Sequence, residues 1–264
     1  MRETGKYKHL LRKMGYRADQ QGIMNRYLSE HTAWEKHLSM TRKFIMNALS
    51  ARPADKTVAI LGSGWLLDVP VEYLTQTFRN IIMVDVLHPP QIKHKLSQYQ
   101  NVQLIEQDIS GYLQPVWEFV QQNKKKKHPD LPDSIAPGIF QPEIPADTYV
   151  SVNLMNQLDM LLSDYIKKHL PFEEAELMKL RQKIQQTHLN FLEQHDSILI
   201  TDYEELIINQ ENKLKEIKPL IYCKLPPCTN TEKWRWHFDE SGTYHKNYKT
   251  HFKVIALDLA TRIP

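Results

Sequence analysis

The stretch TVAILGSGWLLDVPVEYLTQTF, residues 57–78, limits the possible folds more than any other part of the chain. An apolar, β-rich run ends directly in two glycines separated by one serine, and a helix-forming segment follows. Glycine is scarce here, 8 of 264 residues, against an average share of about 7%. Glycine turns left-handed at no steric cost, so Gly62-Ser63-Gly64 in so poor a background marks a tight turn that the fold requires. A strand, a Gly-x-Gly turn and a helix together aim backbone N–H groups at a ligand beyond the end of the strand.

The same pattern recurs downstream. NIIMVDV (80–86), NVQLIEQD (101–108), TYVSVNLM (148–155) and DSILITDYEEL (196–206) read as further strands. PPQIKHKLSQY, GYLQPVWEFVQQN and NQLDMLLSDYIKKHL between them read as helical, with Pro115 expected to interrupt the second. Pro171 is expected to open a longer helix with Leu177, Leu180, Ile184, Phe191 and Leu192 as its stripe. KWRWHFD and HFKVIALDL alternate as a closing antiparallel pair. The fold class is therefore α/β: a doubly wound, mostly parallel sheet with a C-terminal antiparallel hairpin. Residues 19–50 form one helix on the stripe Met24, Tyr27, Leu28, Trp34, Leu38, Thr41, Ile45 and Ala48. We expect a helical segment over 1–54 that covers the site, and a Rossmann-like domain over 55–264. Residues 123–147, with four consecutive Lys and five Pro, read as a solvated insertion that starts on the side of the sheet away from the ligand.

Bulk properties exclude several classes. No apolar run approaches the ~20 residues of a membrane helix, and the basic start MRETGKYKHLLRK carries no apolar signal core. Two cysteines, Cys223 and Cys228, are too few for a disulfide framework and fit a reducing cytoplasm. A metal would need His237 or His245 to complete it, and none is expected. A net charge of +3 does not by itself indicate nucleic acid. The aromatic-basic stretches around Trp234 and Tyr248 invite that reading, but Trp234 and Trp236 share one strand face and are expected to pack under a helix.

Acids close the next two strands. Asp85 lies 23 residues after Gly62, a spacing that suits a carboxylate on ribose hydroxyls. Asp108 ends the third strand. With the Gly-x-Gly turn they line the sheet edge where open α/β folds bind ligands. A dinucleotide's pyrophosphate wants a third glycine where this chain has Leu67, which weighs against a nicotinamide-dependent oxidoreductase. A phosphate-free adenosine fits better.

On these residues the chain resembles the class I S-adenosylmethionine-dependent methyltransferases over about residues 55–260. The resemblance implies that Gly62, Ser63 and Gly64 receive the methionine part of the cofactor. Asp85, with Val86 beside it, would hold the ribose, and Asp108 with the backbone of Ile109 the adenine. The family's usual acid before the first glycine is Ile60 here, and its third glycine is Leu66. Asp68 either supplies the missing carboxylate or caps the next helix. Trp65 and Leu66 are expected to wall the site, and Leu67 to pack the helix on the sheet. After the fourth strand Asn153, Asn156 and Gln157 face the methyl group, or Asn156 and Gln157 cap a helix. Asp202 or Tyr203, at the fifth strand, acts as a base or sits in a surface network. His88 either packs over the adenosine or stays exposed in a rigid loop. The implied activity is methyl transfer to an acceptor, a small molecule favoured over protein or RNA. A non-catalytic cofactor-binding protein of the same fold is the further alternative. Closure of the site is expected from the N-terminal helix, the helix after Asp159, and residues 206–233.

Overall fold

The computed structural model of the chain describes residues 2–263 apart from Ile139, so Met1, Pro264 and this one residue of the insertion lie outside the description. Five parallel strands build the centre: β1 (Thr57–Leu61), β2 (Asn80–Asp85), β3 (Val102–Glu106), β4 (Thr148–Val152) and β5 (Asp196–Ile208). Three more follow, β6 (Leu214–Pro219), β7 (Thr231–Asp239) and β8 (Lys249–Asp258). The sheet order is β3-β2-β1-β4-β5-β8-β7, with β6 added beside β5. This is the doubly wound Rossmann-like topology, and its reversal of direction between β1 and β4 opens a crevice at the strand ends.

Both faces of the sheet are covered, which is why its strands read as unbroken apolar runs rather than alternating ones. Val58 and Ile60 point to one core together with Ile81 and Met83, while Ala59, Leu61, Ile82 and Val84 point to the other. The first core is roofed by α2 (Tyr16–Leu49), α3 (Val71–Thr77) and α4 (Pro90–Leu96). The second lies under α1 (Arg2–Lys13), α5 (Leu113–Asn123), α6 (Met160–His169) and α7 (Glu174–Glu193). Gly15, at φ 87°, turns the chain between α1 and α2. Helix α2 has 34 residues, about 50 Å at 1.5 Å per residue, long enough to run from the crevice along the whole of β7.

Several local expectations need correction. Pro115 does not interrupt α5, because it sits in the first turn, where a missing N–H breaks no helical bond. Helix α7 starts at Glu174 rather than Pro171, behind a reciprocal capping box of Glu173 and Glu176. Leu28 leaves the α2 stripe and is 65% exposed. The insertion is not wholly solvated: Lys124 to Lys127 are exposed, yet Ile135 and Phe140 are buried, and Phe140 meets Phe191 edge-on. Far from the crevice, Arg52 clamps the sheet by pairing with Asp196 at 2.8 Å and Asp258 at 2.7 Å.

Candidate functional site

The turn after β1 uses the left-handed region at every second residue: Gly62 at φ 83°, Gly64 at 38° and Leu66 at 58°. A Cβ on Gly62 would stand 2.9 Å from both Val152 O and Leu154 Cβ, so the end of β4 presses directly on this position. A Cβ on Gly64 would meet Asp85 Oδ2 at 3.6 Å, an ordinary contact. Leu66 holds the backbone of the missing third glycine at a cost of about 1–2 kcal/mol, offset by burying its side chain in the α2-side core. The turn therefore needs three left-handed residues, not the two glycines alone. Leu66 packs inward, whereas Trp65 and Leu67 line the cavity, the reverse of the expected roles for the two leucines. Ile60 is fully buried in the core, where an ionised acid would have no partner.

Ser63 Oγ lies 2.9 Å from His88 Nε2. His88 is 2% exposed, so it does not stay exposed in a rigid loop, and it does not line the cavity. Burial pushes its imidazole down to about 4, so the neutral ring ties the loop after β2 to the glycine turn.

Asp85 closes β2 and organises the part of the cavity beside the glycine turn. Gly64 N–H donates to its Oδ2 at 2.8 Å, and Gln20 Nε2, from α2, to its Oδ1 at 3.3 Å. Burial pushes its pKa up to about 6 despite these bonds. Asp108 lies two residues past the end of β3 rather than at it. Its carboxylate accepts from Ser110 N at 2.9 Å, Ser110 Oγ at 2.6 Å and Leu113 N at 2.9 Å, and so caps α5 while lining the cavity. Three bonds leave about one of a carboxylate's four lone-pair sites free. Val86, Ile109 and Tyr16 complete this half.

The other half lies past the end of β4. Asn153 adopts a left-handed φ of 46°, which asparagine tolerates better than most residues. Its amide nitrogen donates to Asp68 Oδ2 at 2.6 Å and stands 3.2 Å from His37 Nε2. Asp68 makes no side-chain cap on α3, whose N-cap is Pro70. Nor does Asn156 cap α6: its Nδ2 lies 3.5 Å from Asp202 Oδ2. Gln157 Nε2 donates to Asn153 O at 2.6 Å. Asp202 is 1% exposed. Burial, then the nearby Asp68 charge, push its pKa up to about 8. Tyr203 is the bulged residue of β5, does not line the cavity, and lies under Lys233 Nζ at 5.7 Å. Trp234 Nε1 donates to His37 Nδ1 at 3.0 Å, and the His37 ring stacks on Trp236 at 3.9 Å. Burial holds His37 down at about 3.

These groups enclose one cavity of about 510 Å³, within the usual range for small-molecule sites. Six carboxylates line it (Asp19, Asp68, Asp85, Asp108, Asp202 and Glu205) against one guanidinium, Arg26. Arg26 is itself engaged by Asp239 at 3.5 Å and lies over the Phe238 and Tyr244 rings. Burial raises Asp68 and Asp108 as well. Four buried oxygens on the lining lack partners: Gln20 Oε1, Asn153 Oδ1, Asn156 Oδ1 and Asp202 Oδ1. The site is thus rich in acceptors and in negative charge, and suits a cation that carries hydrogen-bond donors.

No family model and no curated protein matches the chain. Among solved structures it is similar to the Burkholderia thailandensis 1,6-didemethyltoxoflavin N1-methyltransferase with 1,6-didemethyltoxoflavin and S-adenosylhomocysteine bound. Identity there is 11% and the TM-score 0.43, over 96% of this chain and 90% of that one. It is similar to a proposed RNA methyltransferase from Pyrococcus horikoshii at 10% identity and TM-score 0.42, over 82% of this chain and 80% of that one. It also resembles the N-methyltransferase NodS of Bradyrhizobium japonicum in complex with S-adenosylhomocysteine, at 9% identity and TM-score 0.37, over 82% and 85% of the two chains. Likeness of this degree assigns neither activity nor acceptor.

Sequence reasoning missed the α2 residues Gln20, Arg26 and His37, and the hairpin residues Phe238, Tyr244 and Phe252. One signal was legible: Gln20, Glu30 and His37 are polar residues on the buried side of a helix. The expected closure by residues 206–233 reduces to Leu220, and the β7–β8 hairpin takes that place. His237 pairs with Glu240 and His245 with Glu205. Glu240 also takes His251 at 2.6 Å and Lys249 at 3.2 Å, so a cationic side chain already occupies the carboxylate of that His-Glu-His group. No helix among the described residues is long and apolar enough to cross a membrane.

Proposed function

We propose that the chain is an enzyme that transfers a methyl group from S-adenosylmethionine to a small-molecule acceptor. The observation that carries this reading is the charge of the cavity. Six carboxylates face one committed guanidinium: Asp85 at the end of β2, Asp68 and Asp108 beyond β1 and β3, Asp202 and Glu205 within β5, and Asp19 on α2. A dinucleotide diphosphate would meet repulsion there, and α3 begins only at Val71, too far past Gly64 to present its N-terminus to a phosphate. A phosphate-free adenosine bearing ammonium and sulfonium charges fits the same acids.

In this reading Asp85 accepts the ribose hydroxyls, and the remaining lone pair of Asp108 accepts the adenine amine beside Ile109. Asp68 and Asn153 Oδ1 receive the ammonium, which supplies the carboxylate that Ile60 does not. The cofactor brings an activated methyl group, so the protein has little acid-base work to do; alignment and exclusion of water carry the rate. Helix α2 and the β7–β8 hairpin provide that enclosure. Asn156 and Asp202 face the acceptor, and Tyr203 has no part.

Calorimetry with S-adenosylhomocysteine tests the reading. We expect saturable binding by the wild type, strongly weakened in Asp85→Ala, and no comparable binding of NADH or NADPH. Absence of binding by the wild type, or unchanged binding by Asp85→Ala, overturns it.

A further inference from the structure

The acceptor half of the cavity is a built site with its own chemistry. We propose that it binds a small primary or secondary amine, held and deprotonated by Asp202; this rests on the methyl-transfer reading above. Asp202 Oδ1 and Asn156 Oδ1 are both unpartnered, on side chains 1% and 6% exposed. The two side chains are neighbours, with Asn156 Nδ2 3.5 Å from Asp202 Oδ2. Two free acceptors on neighbouring side chains call for a group rich in N–H donors, at least two, which an amine has and an alcohol, phenol or carboxylate lacks.

The surrounding groups agree on charge. Glu205 is engaged by His245 at 2.7 Å and Asp68 by Asn153 at 2.6 Å, and Asp19 is exposed, so Asp202 is the buried carboxylate left for the acceptor. Trp236, Phe238, Tyr244 and Phe252 wall the space opposite. Arg26, 5.1 Å from the Phe238 centroid and 5.0 Å from that of Tyr244, shows that this wall accepts a cation. An amine arrives protonated and must lose a proton before its nitrogen can attack. Burial and the Asp68 charge raise the proton affinity of Asp202, and the cationic amine and cofactor beside it favour its ionised form, so that it can take that proton. The ammonium N–H bond breaks toward Asp202 Oδ1, which becomes the neutral acid. The freed lone pair forms the new N–C bond as the C–S bond opens, its electron pair staying on sulfur. The proton on Asp202 leaves to solvent with the products. The enclosure of the space by α2 and the hairpin selects a small molecule over a macromolecule.

The test is calorimetry of the full chain against a panel of small primary and secondary amines, including 2-phenylethylamine and histamine. Each amine is paired with the alcohol and carboxylate of the same skeleton, and every titration is run with and without S-adenosylhomocysteine. We expect amines to bind and their alcohol and carboxylate partners to bind at least about tenfold more weakly. Asp202→Asn, checked for folding by circular dichroism, should weaken amine binding by about tenfold or more while its affinity for S-adenosylhomocysteine stays within about threefold of wild type. Equal or tighter binding of the alcohols or carboxylates overturns the proposal, as does an Asp202→Asn variant that keeps amine affinity. S-adenosylhomocysteine binding with no amine bound overturns the acceptor class alone. Amine binding without S-adenosylhomocysteine binding supports the amine site and overturns the cofactor reading.

Discussion

Gly62 and Gly64 look equivalent in the sequence, but substituting each with alanine should have unequal consequences. At Gly62 the new Cβ stands 2.9 Å from a backbone oxygen, Val152 O, and 2.9 Å from Leu154 Cβ, at φ 83°. The left-handed backbone costs an alanine about 1–2 kcal/mol, and forcing atoms into a packed interior about 1–3 kcal/mol. Neither neighbour can yield cheaply, because Val152 closes the fully buried strand β4 and its carbonyl is part of the main chain. Gly62→Ala should therefore lose about 2–5 kcal/mol. For a chain of this size that is roughly 4–9 °C in the unfolding midpoint. At Gly64 the Cβ meets only the Asp85 carboxylate at 3.6 Å. Gly64→Ala should thus cost only the conformational ~1–2 kcal/mol. Urea unfolding followed by circular dichroism and by tryptophan fluorescence measures both. A Gly62→Ala loss below about 1 kcal/mol, or a Gly64→Ala loss that equals or exceeds it, would show that β4 does not press on the turn. Displacing Val152 and Leu154 also moves Asn153 between them, so Gly62→Ala should bind S-adenosylhomocysteine more weakly even when folded.

Three further outcomes follow from the same geometry. Asp85→Asn keeps the shape but loses a charged acceptor, and S-adenosylhomocysteine affinity should fall by ~1.5–3 kcal/mol, about ten- to hundredfold, by calorimetry. Asp85 and Asp202 titrate at about 6 and about 8 in the folded chain, above the ordinary carboxylate range. Between the unfolded and folded values the folded chain holds protons that the unfolded chain has released, so stability must fall as pH rises across that window. Below neutrality the buried His37, His88 and His188, held neutral at about 3 to 4, oppose this trend. Above it the ligand-free unfolding midpoint should decline between about pH 7 and about pH 9, and less steeply in Asp202→Asn, and a wild-type midpoint that rises there refutes the burial of Asp202. Arg52→Met leaves Asp258 buried without its partner and Asp196, 35% exposed, partly so. It should destabilise by about 2–3 kcal/mol in urea unfolding, with ligand affinity unchanged, because Asp196 begins the strand whose far half carries Asp202.

Strand-helix alternation, the glycine turn and the acids after the second and third strands were legible without coordinates, because each is a local pattern. A strand buried on both faces must be apolar throughout, and a left-handed residue favours glycine. A carboxylate at a strand end needs only the strand to position it. Two things stayed hidden at this level. Leu66 in a left-handed conformation contradicts its own preference, and only the packing of its side chain against the α2-side core sustains it. Strand β6 and the corner role of His88 depend on partners rather than on their own residues.

The side of the site formed by α2 and the C-terminal hairpin was decided by tertiary structure alone. Gln20 reaches Asp85 across 65 residues, Trp34 Nε1 donates to Phe238 O across 204, and Trp234 fixes His37 across 197. Periodicity records that a helix has an apolar face and a strand a buried one. It does not record which surfaces meet. The glycine turn and the acids near the strand ends were therefore readable from the sequence. Those that enclose the cavity became visible only once α2 lay along the C-terminal hairpin.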